Sequence, residues 1–124
     1  MPSMVLYFAT DLLWASRIKA TADAMGVACR PVRTIEMLDA RLADSAPTAL
    51  LVDLTTPEVA MALIEHLRKP DASAARRVRI VAFGPHVEKD VLQRARDAGA
   101  DEVLTRGALD RNLEEILLSL AAKG

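Results

Sequence analysis

A chain of 124 residues, 52% hydrophobic and 27% charged, is long enough for one domain with a real core and too short for two. A net charge of −1 gives no field favouring DNA, a membrane or a strongly acidic partner, and 3% aromatic residues cannot build a stacking platform for single-stranded nucleic acid. Cys29 is the one cysteine, which excludes an internal disulfide and a multi-cysteine zinc or iron–sulfur site and suits a reducing compartment. No apolar run reaches the roughly 18 residues that span a bilayer. The N-terminus lacks the basic start and cleavage site of a signal peptide, so a cytoplasmic protein is expected, a single domain over residues 1–124.

Met4–Ala9 is a continuous apolar run and reads as a first strand. Thr10 or Asp11 caps a helix with Trp14, Ala15, Ile18, Ala22 and Met25 on one face, and Gly26 stops it. Val27–Val32 is a short strand, placed at an edge because Pro31 cannot donate to a ladder. Thr34 caps a second helix with Ile35, Leu38 and Leu42 inward. Thr48–Val52 is a buried strand ending at Asp53. Pro57 suits the first position of a third helix, which carries Val59, Leu63 and Leu67 inward. Residues 69–77 read as a loop, Val78–Phe83 as a fourth strand broken by Gly84–Pro85, and Val87–Ala98 as a helix with Val87, Val91, Ala95 and Ala98 on one face. Gly99 ends that helix. Asp101–Leu104 is a fifth strand, and Leu109–Ala122 a last helix with Leu109, Leu113, Ile116, Leu117 and Leu120 in a stripe.

Five β–α units in succession imply an α/β fold: a five-stranded parallel sheet, doubly wound by right-handed crossovers, with helices on both faces. A peripheral second strand fits the order 2-1-3-4-5, the flavodoxin-like arrangement. Ligands of such sheets bind outside the carboxyl ends of the strands. Here those ends are Ala9–Asp11, Asp53, Gly84 and Leu104–Arg106, which makes Asp53 the first candidate for function.

The chain at this point resembles the receiver domain of bacterial response regulators in length and element order. V-D-L-T-T-P around Asp53 and Pro57 looks like the phosphoacceptor segment of that family. I-V-A-F-G-P-H and A-G-A-D-E-V-L-T-R-G look like its fourth and fifth strand segments, and the spacing from Ala9 to Gly26 suits its first β–α unit. The resemblance implies phosphoryl transfer to Asp53 assisted by magnesium. It also implies an acidic pair at the end of strand one, a hydroxyl at the end of strand four, and a lysine and an aromatic switch residue in strand five. This chain has Ala9 and Thr10 at the acidic positions, Gly84 at the hydroxyl, Arg106 at the lysine, Gly107 at the proline that usually follows it, and Val103 at the switch.

The expectation is therefore a pseudo-receiver: a signalling or protein-interaction module in which Asp53 is a vestigial phosphoacceptor, with no cofactor, no metal and no catalytic residue. Two alternatives stand beside it. One is a working phosphoacceptor with an altered site; the other is a flavodoxin-like ligand-binding domain or enzyme, for which the small residues Ala9 and Gly84 leave room. The pole residues are Asp53, Asp11, Thr10, Gly84 and Arg106. Arg106 is expected to form an ion pair with Asp53, a carboxylate that a guanidinium can hold in a bidentate manner, and Asp11 to cap its helix rather than bind metal.

In the family the fourth helix, fifth strand and fifth helix form the usual partner surface. Here they carry Arg94, Asp97, Asp101, Glu102, Arg111 and Glu114, a mixed set suited to a homodimer. Arg68, Lys69, Arg76, Arg77 and Arg79 crowd the loop before strand four against Asp71 alone, which reads as a solvated loop. His66 is expected to be a partly buried helix residue, His86 to lie idle near the pole, and Cys29 and Trp14 to serve packing. There is no nucleophile elbow, G-x-G-x-x-G or P-loop.

Overall fold

The structure, a computed structural model, describes residues 4–69 and 78–122. Strands β1 (Met4–Phe8), β2 (Ala28–Pro31), β3 (Pro47–Asp53), β4 (Arg79–Gly84) and β5 (Glu102–Thr105) alternate with helices α1 (Leu12–Ala24), α2 (Ile35–Asp44), α3 (Pro57–Leu67), α4 (Lys89–Ala98) and α5 (Arg106–Ala121). The strands are parallel in the order β2-β1-β3-β4-β5. This is the doubly wound sheet that the alternation implies. Among the described residues no helix is long and apolar enough to cross a membrane.

The central strands are buried on both faces, so they read as unbroken apolar runs rather than alternating ones. One core lies under α2, α3 and α4 and takes Leu6, Leu50, Val52, Ile80 and Ala82 from the sheet. The other lies under α1 and α5 and takes Val5, Tyr7, Leu51, Val81 and Phe83. β2 lies at an edge, where Pro31 is tolerated, and the ladder continues past it as Val32 N donates to Tyr7 O at 2.8 Å. α4 ends at Gly99, whose φ of +119° strains any residue with a Cβ.

Two inward assignments need correction. Val59 is 37% exposed, because α3 buries Ala60, Met61, Leu63, Ile64 and Leu67 and leaves its first turn at the end of the sheet. Val87 is 70% exposed and precedes α4, whose buried residues are Leu92 and Ala95. Most of the basic loop, residues 70–77 with Arg76 and Arg77, lies outside the described residues. Arg68 is engaged: its guanidinium donates to Gly99 O and Val78 O, both at 3.0 Å, and to the Asp101 carboxylate at 2.6 Å.

Candidate functional site

Asp53 ends β3 opposite Phe83 of β4 and is the one buried charged residue among those described, with 0% exposure. A buried carboxylate must have its oxygens satisfied, and the turn after β3 does this. Thr55 donates twice to Oδ1, from its backbone N–H at 3.0 Å and its hydroxyl at 2.6 Å. The N–H of Asp11 reaches Oδ2 at 3.4 Å. Thr55 itself is exposed and so lies between Asp53 and solvent.

Arg106 opens α5, capped by the Thr105 hydroxyl, which accepts from Ala108 N at 3.1 Å. Its Nη2 stands 3.9 Å from Asp53 Oδ1 but donates at 2.6 Å to Thr55 Oγ1. The expected ion pair is present through one nitrogen rather than two, and the Thr55 hydroxyl links the same groups in a relay, guanidinium to hydroxyl to carboxylate. The guanidinium Nε is buried without a hydrogen-bond partner.

The other pole residues are spent elsewhere. Asp11 is the N-cap of α1 and accepts from Leu13 N at 3.0 Å. Thr10 shares a hydroxyl–hydroxyl bond of 2.7 Å with Thr56, which leaves α3 without a side-chain cap. Gly84 is closely covered: a Cβ there would meet Leu54 Cβ at 3.3 Å, a tight contact, and Leu92 Cδ2 at 3.5 Å. Leu54 is the neighbour that any side chain at this position would have to displace slightly. Among the described residues no cluster of three or more His, Cys, Asp or Glu side chains could hold a metal ion.

Thr55 is the pole residue that sequence reasoning missed. The available signal was the Asp-x-Thr spacing, since an aspartate commonly bonds the backbone two residues on. Around the site, Phe83 meets Trp14 with ring centroids 5.2 Å apart, and Arg17 lies 5.5 Å over the Trp14 ring while pairing with Asp110. His66 is held by Asp39 at 2.7 Å, and His86 is exposed.

No family profile matches the chain, and no curated protein does. Solved structures do match. The signal receiver domain of a response regulator from Bermanella marisrubri superposes with a TM-score of 0.78 at 19% identity, over 98% of this chain and 100% of that one. The fold is that of a receiver domain. The signal receiver domain of a histidine kinase from Syntrophus aciditrophicus gives 0.76 at 21% identity, over 96% of this chain and 89% of that one. The beryllofluoride-activated NtrC4 receiver domain, solved as a dimer, gives 0.70 at 15% identity, over 95% of each chain.

Of the mixed-charge residues on α4, β5 and α5, Arg94 pairs with Glu58 at 3.7 Å, Asp97 with Gln93 at 3.0 Å, Asp101 with Arg68, and Glu102 with Arg79 at 3.6 Å. The set expected to pair across a dimer is largely occupied within the chain.

Proposed function

We propose that the chain is a response-regulator receiver domain working as a signalling or protein-interaction module, not as an enzyme, and without magnesium-dependent phosphorylation of Asp53. The observation that carries this reading is the burial of Asp53 under Thr55, with both carboxylate oxygens already accepting hydrogen bonds. An in-line attack needs a free oxygen facing the phosphoryl donor. Magnesium asks for several hard oxygen ligands in octahedral geometry. The pole offers Asp53, which is engaged, and Asp11, which caps α1, beside a methyl at Ala9 and a hydroxyl at Thr10. These residues do not fit the metal. Partner contact through α4, β5 and α5 belongs to the same proposal. It is supported by the open edge of β5, by Leu118 of α5 at 55% exposure, and by the dimer of the NtrC4 receiver domain.

The test is intact-mass spectrometry after incubation with acetyl phosphate and magnesium. The expected result is an unchanged mass for the chain and for Asp53→Asn. A mass gain that Asp53→Asn abolishes would establish a working phosphoacceptor instead. Sedimentation velocity of the chain and of Leu118→Asp tests the partner surface. A dimer is expected for the first and a monomer for the second.

A further inference from the structure

A cavity of about 300 Å³ opens at the same pole, outside the carboxyl ends of β1 and β2 and beside the first turn of α3. It lies where the winding of the sheet reverses between β1 and β3, the crevice in which doubly wound folds hold ligands. Phe8, Ala9, Leu12 and Val59 make its apolar wall, and Thr10 and Arg33 supply its polar groups. No acid lines it. Arg33 is exposed, directly after the β2 ladder, and has no carboxylate partner among the described residues.

We propose that this cavity binds a small aliphatic carboxylate, its chain against Phe8, Ala9, Leu12 and Val59 and its anionic head on Arg33. The volume is about that of ten waters in the liquid and sits at the small end of ligand pockets, which suits a short chain rather than a nucleotide or a folded peptide. The wall is apolar, so a sugar would leave its hydroxyls unpaired there. One guanidinium matches one carboxylate, which it can hold in a bidentate manner. A phosphate dianion would ask for more charge than the cavity carries. This binding is independent of whether Asp53 accepts a phosphoryl group.

Sodium hexanoate is the probe, followed by amide chemical shifts of the isotope-labelled chain, with acetate and hexan-1-ol as controls. Saturable shifts at Thr10, Leu12, Arg33 and Val59 are expected for hexanoate, with weaker binding of acetate, which lacks the chain, and of hexan-1-ol, which lacks the charge. Arg33→Gln should weaken hexanoate about five-fold, the upper range for an exposed ion pair, and leave hexan-1-ol unchanged. Leu12→Asp, at an exposed position of the apolar wall, should weaken both. Absence of saturable shifts, equal hexanoate affinity in Arg33→Gln, or shifts centred on Thr55 and Arg106 would overturn the proposal. So would shifts at the cavity that grow with protein concentration before hexanoate is added, because a second copy would then be the occupant.

Discussion

Two arginines meet two aspartates at opposite ends of the sheet, and they are used differently. At the amino ends of β4 and β5, Arg68 reaches two carbonyls and the Asp101 carboxylate, while Asp101 Oδ2 also accepts from Ile80 N at 2.7 Å. That arrangement ties the end of α3 to two strands. At the carboxyl ends, Arg106 hydrogen-bonds Thr55, stands 3.9 Å from the Asp53 carboxylate and keeps an unpaired buried Nε. One end of the sheet is knotted by a satisfied cation. At the other, a buried anion is satisfied by its own turn and by Asp11 N, and the nearby cation grips the hydroxyl of that turn. The first arrangement ties a helix to two strands, and the second couples a guanidinium to the turn that covers Asp53.

The largest effects are expected at the knotted end. Arg68→Ala should cost about 2–3 kcal/mol, because it takes the donor from the Val78 and Gly99 carbonyls and one of the two donors from Asp101 Oδ2. Gly99→Ala should cost at least about 1 kcal/mol, since its φ disfavours a side chain and the new Cβ would lie 2.6 Å from Arg68 Cγ. Urea unfolding of both variants checks these values. A loss below that of any Asp53 variant would erase the contrast between the two ends.

At the Asp53 end, Asp53→Ala should cost about 2 kcal/mol by stranding the Thr55 and Asp11 donors. Asp53→Asn keeps an acceptor oxygen for Thr55 and should stay within about 1 kcal/mol. If the two variants were equally destabilised, the charge rather than the hydrogen bonding would be what Thr55 and Arg106 serve. A smaller effect is expected from the relay. Thr55→Val should cost about 1 kcal/mol, and a double-mutant cycle with Arg106→Ala should give a coupling of about 0.5 kcal/mol or more. Zero coupling would show that Arg106 is no part of the site.

The order and type of the elements were legible, because buried parallel strands leave continuous apolar runs and Gly26 and Gly99 mark the helix ends with positive φ. The capping roles of Asp11 and Thr34 were legible for the same local reason. Relations across the sheet were not. Leu54 lying over Gly84 depends on the register between β3 and β4. The Thr55 relay depends on how far the Arg106 side chain reaches. The helical period points Val59 and Val87 inward because it does not say where a helix start meets solvent.

The smallest expected effect concerns pH and compares either end with the sheet's edge. Burial pushes the Cys29 thiol from 9.0 up to about 12, against a lowering by Lys19. Its contribution is fully present below pH 9, where folded and unfolded thiols are both protonated. As pH rises from 9 toward 12 the unfolded chain loses the proton first and stability falls. The raised Tyr7 hydroxyl, shifted mainly by burial, adds the same sign above 10.0. Cys29→Ala should flatten part of this decline in unfolding curves taken across that range. In the native chain the thiol should label far more slowly than in the unfolded one. Arg68→Ala should speed labelling more than Thr55→Val, as their stabilities rank.

The contact between Trp14 and Phe83 has an optical consequence. The chain holds one tryptophan, and that indole leans on the ring paired in register with Asp53 while a guanidinium covers it. Intrinsic emission therefore comes from a single fluorophore beside the site, and the molecule carries a built-in, label-free reporter of what happens to β4 at its carboxyl end.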